Sequence, residues 1–152
     1  MSKVAVVMGS VKDQPKMQAA ADTLTRFGID YDMRVLSAHK TPDAAFEFAA
    51  TAAEQGFSVI VAGAGKAAHL AGVMAAKSLL PVIGVPLSAS LQGLDALLAT
   101  VQMPTGIPVA TVAVDGSANA ALLAVAILAL HDEALSSQLA EYRAELAEQT
   151  LE

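Results

Sequence analysis

The sequence predicts a three-layer α/β domain built on a parallel five-stranded sheet. Five short apolar runs rich in β-branched residues alternate with helical patterns, and the connections between them are short. Continuous apolar runs, without polar alternation, are typical of strands that are buried on both faces. A chain of 152 residues is long enough for one domain with a core and too short for two. We therefore predict one domain over residues 1–152, with the flavodoxin-like strand order 2-1-3-4-5.

The first half of the chain has clear start and stop signals. Apolar residues recur at spacings of three and four from Met17 to Phe27, which predicts a helix that Gly28 ends. A second helix is expected over residues 42–54, with Thr41 as its N-cap and proline at its first position. The five strands are predicted at residues 4–8, 31–36, 57–62, 81–85 and 108–114.

The second half is more apolar. A helix of small residues is expected from the end of segment 63–66 to residue 79, and the helix predicted at 91–101 is weakened by Gly93. The helix at 119–130 is hydrophobic on nearly every side, so it must be enclosed on all sides. A final apolar stripe predicts a helix within residues 131–152 and is formed by Leu135, Leu139, Tyr142 and Leu146.

The composition favours a homo-oligomer. Hydrophobic residues make up 55% of the chain and charged residues 16%, which leaves more apolar surface than one small domain can cover. The last helix can pack on its own domain or reach a neighbouring subunit, and the composition favours the second arrangement.

Several classes of protein are excluded by the same numbers. A net charge of −6 without a basic cluster argues against a nucleic-acid partner. The longest apolar run, residues 120–130, is too short to span a membrane, and the start of the chain lacks a signal-peptide pattern, so a cytoplasmic location is expected. There is no cysteine, and no two histidines have metal-ligand spacing, so we predict neither a disulfide nor a metal site.

Three polar loops follow strands 1, 2 and 3. With the order 2-1-3-4-5 the strand order reverses between strands 1 and 3, and ligands of parallel sheets bind at such a switch point, beyond the carboxyl ends of the strands. The loops at residues 9–13, 37–42 and 63–66 are the most polar and glycine-rich strand ends of this chain. They are therefore expected to line one crevice.

His39 is the strongest candidate for chemistry in these loops. An imidazole can give and take a proton near neutral pH, although a structural histidine is the commoner case in general. Ser37, Lys40 and Thr41 flank it, and Lys40 would hold a phosphate as a point charge. His69 could face the same crevice or be a packing residue.

The other two loops also have two interpretations each. Ser10 and Asp13 could cap a helix, or they could bind phosphate and sugar hydroxyls. Gly63 and Gly65 could permit a tight turn, or the loop could offer free amides to an anion at the start of a helix. The pattern is neither a Walker A loop nor a good dinucleotide fingerprint.

Several long motifs together resemble the PurE family, in order from about residue 3 to residue 130. The resemblance implies a flavodoxin-like fold, an octamer with active sites between subunits, and a step of de novo purine synthesis on a ribonucleotide without metal or organic cofactor. The family acts as N5-carboxyaminoimidazole ribonucleotide mutase in bacteria and as aminoimidazole ribonucleotide carboxylase in animals. The motifs are VVMGS at 6–10, SAHKTPD at 37–43, AGAGKAAHLAGV at 62–73, LPVIGVP at 80–86, VQMPTGIPVATVA at 101–113 and NAALLA at 119–124.

The resemblance also implies roles for individual residues. His39 matches the family's catalytic histidine, and Ser10 and Asp13 match a substrate-binding serine and aspartate. Lys40 stands where bacterial mutases usually have a phosphate-binding arginine. Ser37 and Lys66 are expected to contact substrate beside these. The glycine-rich loop that closes over the aminoimidazole and its carboxylate is matched by Gly63, Ala64, Gly65 and His69.

The chain departs from the mutase pattern at four positions: Gln14 for an aromatic residue, Lys40 for arginine, Lys66 for glycine and Ala71 for proline. Lysine at position 40 is the carboxylase form, whereas AGAG-x-AAHL is the mutase form. The longer match predicts a mutase. A carboxylase that uses free carbon dioxide and a non-catalytic nucleotide-binding paralogue remain the alternatives.

Overall fold

The computed structural model describes residues 2–151 and has the predicted parallel sheet, with strand order β2-β1-β3-β4-β5. The flavodoxin-like arrangement is therefore confirmed. β1 pairs with β2 on one side and with β3 on the other, so the carboxyl ends of these three strands are neighbours. The strands are β1 Lys3–Met8, β2 Asp30–Val35, β3 Phe57–Gly65, β4 Val82–Leu87 and β5 Ala110–Thr111.

Six α-helices cover the sheet in the described part of the chain. Short 3₁₀ turns precede α1 and α4 and follow α5. The helices are α1 Gln14–Arg26, α2 Pro42–Thr51, α3 Leu70–Lys77, α4 Leu94–Val101, α5 Ser117–Leu128 and α6 Glu133–Leu151.

The core consists of two apolar clusters, one on each face of the sheet. Val4, Val6 and Met8 of β1 point into the cluster formed with α1, α5 and the start of α6. Ala5 and Val7 point into the cluster formed with α2 and α3. Because side chains alternate along a strand, a run without polar residues supplies both layers at once.

Several element boundaries differ from the sequence prediction, and three of them bear on the site or on the sheet. β3 continues to Gly65, three residues further than expected, and α3 begins only at Leu70. β5 has two residues instead of seven, although single bonds from Val112 N to Gly84 O and from Asp115 N to Pro86 O prolong its contact with β4. As an edge strand, β5 loses regular pairing at little cost.

The last helix folds back on its own domain over its first half. Leu135 is 6% exposed, and Leu139 and Tyr142 pack against the same core cluster. The Tyr142 ring meets the Phe27 ring edge-on with centroids 5.7 Å apart, and Arg26 forms an ion pair with Glu145. Leu146 is 43% exposed, so the stripe is not covered to its end. A contact of this helix with a neighbouring subunit stays a prediction.

The helix α5 is also only partly enclosed. Five of its residues are fully buried, but Leu123 is 37% exposed. Between residues 2 and 151, no helix combines the length and the apolar character that crossing a membrane requires.

Candidate active site

The carboxyl ends of β1, β2 and β3 lie level with one another. Gly9 N donates to Gly63 O at 3.2 Å, and Leu36 N donates to Met8 O at 2.8 Å. The loops that carry residues 9–13, 36–41 and 66–69 therefore leave the sheet at the same edge. This is the predicted point at which the strand order reverses, and the three loops meet there as the sequence indicated.

Two histidines form a pair across this edge. The Nε2 atom of His39, in the loop after β2, lies 2.7 Å from the Nδ1 atom of His69, in the loop after β3. The rings are nearly perpendicular, at 86°, with centroids 4.8 Å apart. A hydrogen bond of this length requires a proton on one nitrogen and a lone pair on the other. Both residues are exposed, so a ligand can reach the pair.

The turn that carries His39 is closed by its own hydroxyl groups. Lys40 N donates to Ser37 Oγ at 3.0 Å, and Ser37 N donates to Thr41 Oγ1 at 2.9 Å. Thr41 stands at the N-cap position of α2, as predicted, but its hydroxyl donates to Ser37 O at 3.1 Å and makes no capping bond to the helix. Ser37 and Thr41 thus hold the tip of the turn, and the Lys40 side chain is exposed beside it.

Ser10 and Asp13 behave differently from each other. Ser10 caps the 3₁₀ turn by accepting from Lys12 N at 3.2 Å, as the capping interpretation predicts. Asp13 stands at the N-cap position of α1 but its carboxylate makes no capping bond. Burial raises the pKa of Asp13, and the Ser10 backbone and the Lys16 charge oppose this effect only in part. The carboxylate is therefore half-buried and available to a hydroxyl donor.

Gly63 and Gly65 serve close packing rather than a tight turn. Both lie within β3, and neither has a positive φ. A Cβ atom on Gly63 would lie 2.4 Å from Met17 Sδ, and one on Gly65 would lie 2.9 Å from Ala89 Cβ. The tight-turn interpretation is thus wrong, because these glycines let α1 and the loop after β4 approach the end of β3.

Comparisons with known proteins bear directly on this arrangement. A family model described as AIR carboxylase matches residues 3–149. The chain belongs to the AIR carboxylase family.

Curated relatives of the family cover nearly the whole chain. The N5-carboxyaminoimidazole ribonucleotide mutase of Pyrococcus abyssi is 54% identical over 147 residues, which are 96% of this chain and 84% of the relative. The mutase of Escherichia coli is 51% identical, covering 99% of this chain and 91% of its own, and that of Thermotoga maritima is 48% identical, covering 100% and 90%. The crystal structure of Treponema denticola PurE has a TM-score of 0.88 at 28% identity and covers 99% of this chain and 95% of its own. The resemblance to PurE proteins is therefore confirmed.

Lys66 occupies a position at which the PurE pattern has glycine. Its φ of +54° lies in the left-handed region, which explains why glycine suits the position. A short turn follows, with Ala68 N donating to Lys66 O at 2.8 Å, and His69 stands at the N-cap position of α3 without a capping bond. The prediction that a helix begins directly after Lys66 is wrong, so free helix amides do not adjoin the glycines.

Lys66 also acts on the neighbouring loop through its charge. The Ser90 hydroxyl is the main cause that lowers the pKa of Asp95, and the Lys66 ammonium lowers it further. Lys66 therefore lies near the loop that leads into α4 as well as at the end of β3.

One cluster at this edge has no counterpart in the sequence prediction. It comprises Lys16 on α1, Ser88 after β4 and Asp115 after β5, and is called the Lys16 cluster below. Lys16 Nζ donates to Ser88 O and, at 3.1 Å, to Ser88 Oγ, and it lies 3.9 Å from Asp115 Oδ1. Ser88 N donates to Asp115 Oδ1 at 2.9 Å, and the Ser88 hydroxyl donates to the other carboxylate oxygen.

The electrostatics of Asp115 agree with this geometry. Burial alone would raise its pKa, but the two bonds from Ser88 and the charge of Lys16 outweigh burial and lower the pKa. Ser88 and Asp115 each follow the end of a strand, and this position could have marked them as candidate site residues in the sequence. Lys16 lies inside a helix, so its position in the sequence gave no such indication.

Proposed function

We propose that the protein is an isomerase that converts N5-carboxyaminoimidazole ribonucleotide to 4-carboxy-5-aminoimidazole ribonucleotide, in de novo purine (IMP) biosynthesis. Curated relatives that are 48–56% identical have the corresponding mutase name. The observation that carries the proposal is the pairing of His39 with His69 at 2.7 Å over the end of β1. It places a proton donor and acceptor where the three loops meet.

The reaction moves one carboxyl group, and the proton that His39 donates to the nitrogen is replaced by the one that it removes from C4. The bond between N5 and the carboxylate carbon breaks, carbon dioxide leaves, and His39 protonates the nitrogen. Ring carbon C4 then attacks the trapped carbon dioxide, and His39 removes the C4 proton, which restores the aromatic ring. One imidazole contributes typically about 10²- to 10⁴-fold to such proton transfers. Holding the carbon dioxide against the ring is the larger contribution, up to roughly 7–11 kcal/mol.

His69 engages one ring nitrogen of His39. Since the two facing nitrogens share a hydrogen bond, one ring donates the proton and the other supplies the lone pair. The contact fixes the direction of the His39 ring. His69 thus orients His39 for proton transfer.

The other residues of the edge have proposed roles in binding. The half-buried Asp13 carboxylate accepts hydrogen bonds from ribose hydroxyls, while Lys40 attracts the phosphate and Ser10 donates its hydroxyl to it. Ser37 supports binding through the turn that it closes around Lys40. The backbone at Gly63, Ala64 and Gly65 and the Lys66 ammonium are assigned to the aminoimidazole and its carboxylate.

A homo-oligomer, expected to be an octamer, belongs to the same proposal. The outer face of α4 supports it, because Leu94, Leu98 and Val101 recur at helical spacing and are 56%, 49% and 43% exposed. A groove of about 400 Å³ between α5 and α6, with Leu123 and Leu146 among its lining residues, is a second apolar surface. A cytoplasmic location fits a charged ribonucleotide substrate. Light scattering at micromolar concentration tests the assembly, and a monomeric mass contradicts it.

The activity is tested by supplying the two possible substrates separately to the purified protein. We expect turnover of N5-carboxyaminoimidazole ribonucleotide. His39→Asn should lower kcat by at least 10²-fold while ribonucleotide binding remains. His131→Asn is the matched control, since His131 is exposed and follows α5 at the opposite edge of the sheet, and it should retain activity within twofold.

The other outcomes distinguish the alternatives. Turnover of aminoimidazole ribonucleotide with bicarbonate, and none of the N5-carboxylated compound, would establish the carboxylase that Lys40 favours. Ribonucleotide binding without turnover of either compound would establish the non-catalytic paralogue. Full activity of His39→Asn would refute the proton shuttle while leaving the overall reaction standing.

A further inference from the structure

The Lys16 cluster attaches the first turn of α1 to the carboxyl ends of β4 and β5. Lys16 is held at both of its ends: its ammonium donates to Ser88, and its carbonyl oxygen accepts from the Ser117 hydroxyl at 2.7 Å. Ser117 is fully buried, so this second contact is fixed within the protein. The first turn of α1 therefore has a defined position relative to strands that lie two and three places away from β1 in the sheet.

Asp13 depends on this position. It precedes Lys16 by three residues, which places the two side chains on the same side of the helix start. Within residues 2–151, no side chain donates a hydrogen bond to the Asp13 carboxylate; the Ser10 backbone and the charge of Lys16 are the two groups that stabilise it. Met17 packs on Gly63 in the same turn, but that contact is apolar and does not orient the carboxylate.

We propose that Lys16 is a positioning residue of the ribonucleotide site, which holds the first turn of α1, and with it Asp13, by its bridge to Ser88 and Asp115. This inference rests on the proposed function, in which Asp13 binds the ribose. Lys16 acts through Asp13 and takes no part in the proton transfers. Its loss therefore weakens substrate binding and leaves the chemical step largely intact, because His39 belongs to a different loop.

The expected size of the effect follows from the geometry. A displacement of about 1 Å of a positioning group can cost up to 10²-fold in rate. The Ser117 contact and the packing of Met17 remain after Lys16 is replaced, so only part of this loss is expected. We expect KM to rise about tenfold, which corresponds to roughly 1.4 kcal/mol, with kcat within twofold of the wild type.

Lys16→Met in the full-length protein tests the inference, because methionine keeps most of the length and removes the ammonium. Lys16→Arg keeps the charge and should restore most of the affinity. Lys77→Met is the matched control: Lys77 lies in the last turn of α3, away from the loops of the site, and its replacement should leave KM within twofold. A KM within twofold for Lys16→Met, or equal losses in kcat and affinity with no recovery in Lys16→Arg, overturns the inference.

Asp115→Asn provides an independent second variant should Lys16→Met fold poorly. It keeps the shape of the side chain and weakens its attraction for the ammonium, so KM should rise threefold or more. In the double variant the two effects should not add, because both residues belong to one network. Full additivity, or no effect of Asp115→Asn, contradicts the bridge.

A binding measurement separates this inference from the proposed function. Should the wild type not turn over N5-carboxyaminoimidazole ribonucleotide, the proposed function fails. Titration calorimetry with aminoimidazole ribonucleotide then decides the positioning role, through a tenfold rise in Kd for Lys16→Met. An unchanged Kd, or no binding to the wild type, overturns it.

Discussion

Replacing Gly63 by alanine tests whether the glycines at the end of β3 exist for close packing. The new Cβ would lie 2.4 Å from Met17 Sδ and 2.9 Å from Met17 Cε, whereas relaxed contacts between such atoms are about 3.5–4.0 Å. Met17 is fully buried, so its side chain cannot move into solvent. Either the methionine leaves its rotamer or the first turn of α1 shifts by about 1 Å.

Overpacking of this kind costs about 1–3 kcal/mol of unfolding free energy. For a chain of this length the melting temperature should fall by roughly 2–12 °C, at about 2–4 °C for each kcal/mol. Because the same turn positions Asp13, KM for the ribonucleotide should rise as well. Urea unfolding and thermal melting give the first quantity, and steady-state kinetics give the second.

Gly9→Ala is the matched control for stability, since Gly9 follows the adjacent strand and a Cβ there would meet nothing within 4 Å. Its φ is not in the left-handed region, so alanine should raise stability by about 0.4–1 kcal/mol through the unfolded chain. Opposite signs for Gly9→Ala and Gly63→Ala are the result expected. Equal effects of the two substitutions, or a loss below about 0.5 kcal/mol for Gly63→Ala, would refute the packing argument.

Three further substitutions test other parts of the structure. Asp13→Asn should increase stability at neutral pH, because burial raises the carboxyl pKa and so penalises the charged form; the gain should disappear as pH falls below the ordinary value of 3.8, and a gain that persists there contradicts the assignment. Lys66→Gly should raise the unfolding free energy by up to about 1 kcal/mol, because glycine removes the strain of a left-handed lysine and this gain exceeds the entropy that glycine adds to the unfolded chain. A loss above about 1 kcal/mol would instead show that the lysine side chain stabilises the fold. Tyr142→Ala should cost about 1–2 kcal/mol in urea unfolding, because it removes a half-buried ring from Phe27, and an unchanged midpoint would show that α6 is not packed there in solution.

Much of the fold could be predicted because its signals are local. The apolar runs marked five strands, and the strand order followed from their number and their alternation with helices. The boundaries were less accurate where neighbouring strands decide them. β3 extends to Gly65 because β4 pairs with it as far as Leu87, and nothing within the segment itself announces that pairing.

The candidate site was likewise predicted only in part from the sequence. His39, Ser10 and Asp13 were identified from their place after apolar runs, and the structure does bring their loops to one edge. The roles assigned to glycines and hydroxyl groups were less accurate. Thr41 occupies the predicted N-cap position of α2, but its hydroxyl bonds back to Ser37 and not to the helix, because a hydroxyl at that position has two acceptable partners and the local chain conformation selects between them.

The sequence by itself determined the parallel α/β fold and the end of the sheet at which the three polar loops meet, and it singled out His39 as the candidate for proton transfer. These depend on residues that are neighbours along the chain. Only the tertiary structure decided which distant side chains meet. The bond between His39 and His69 joins residues 30 positions apart, and the bond between Lys16 and Ser88 joins residues 72 positions apart. His39, which the sequence presents as a single histidine in a turn, is therefore one half of a pair, since contacts of this kind are fixed by how strands and helices pack and have no local signature in the sequence.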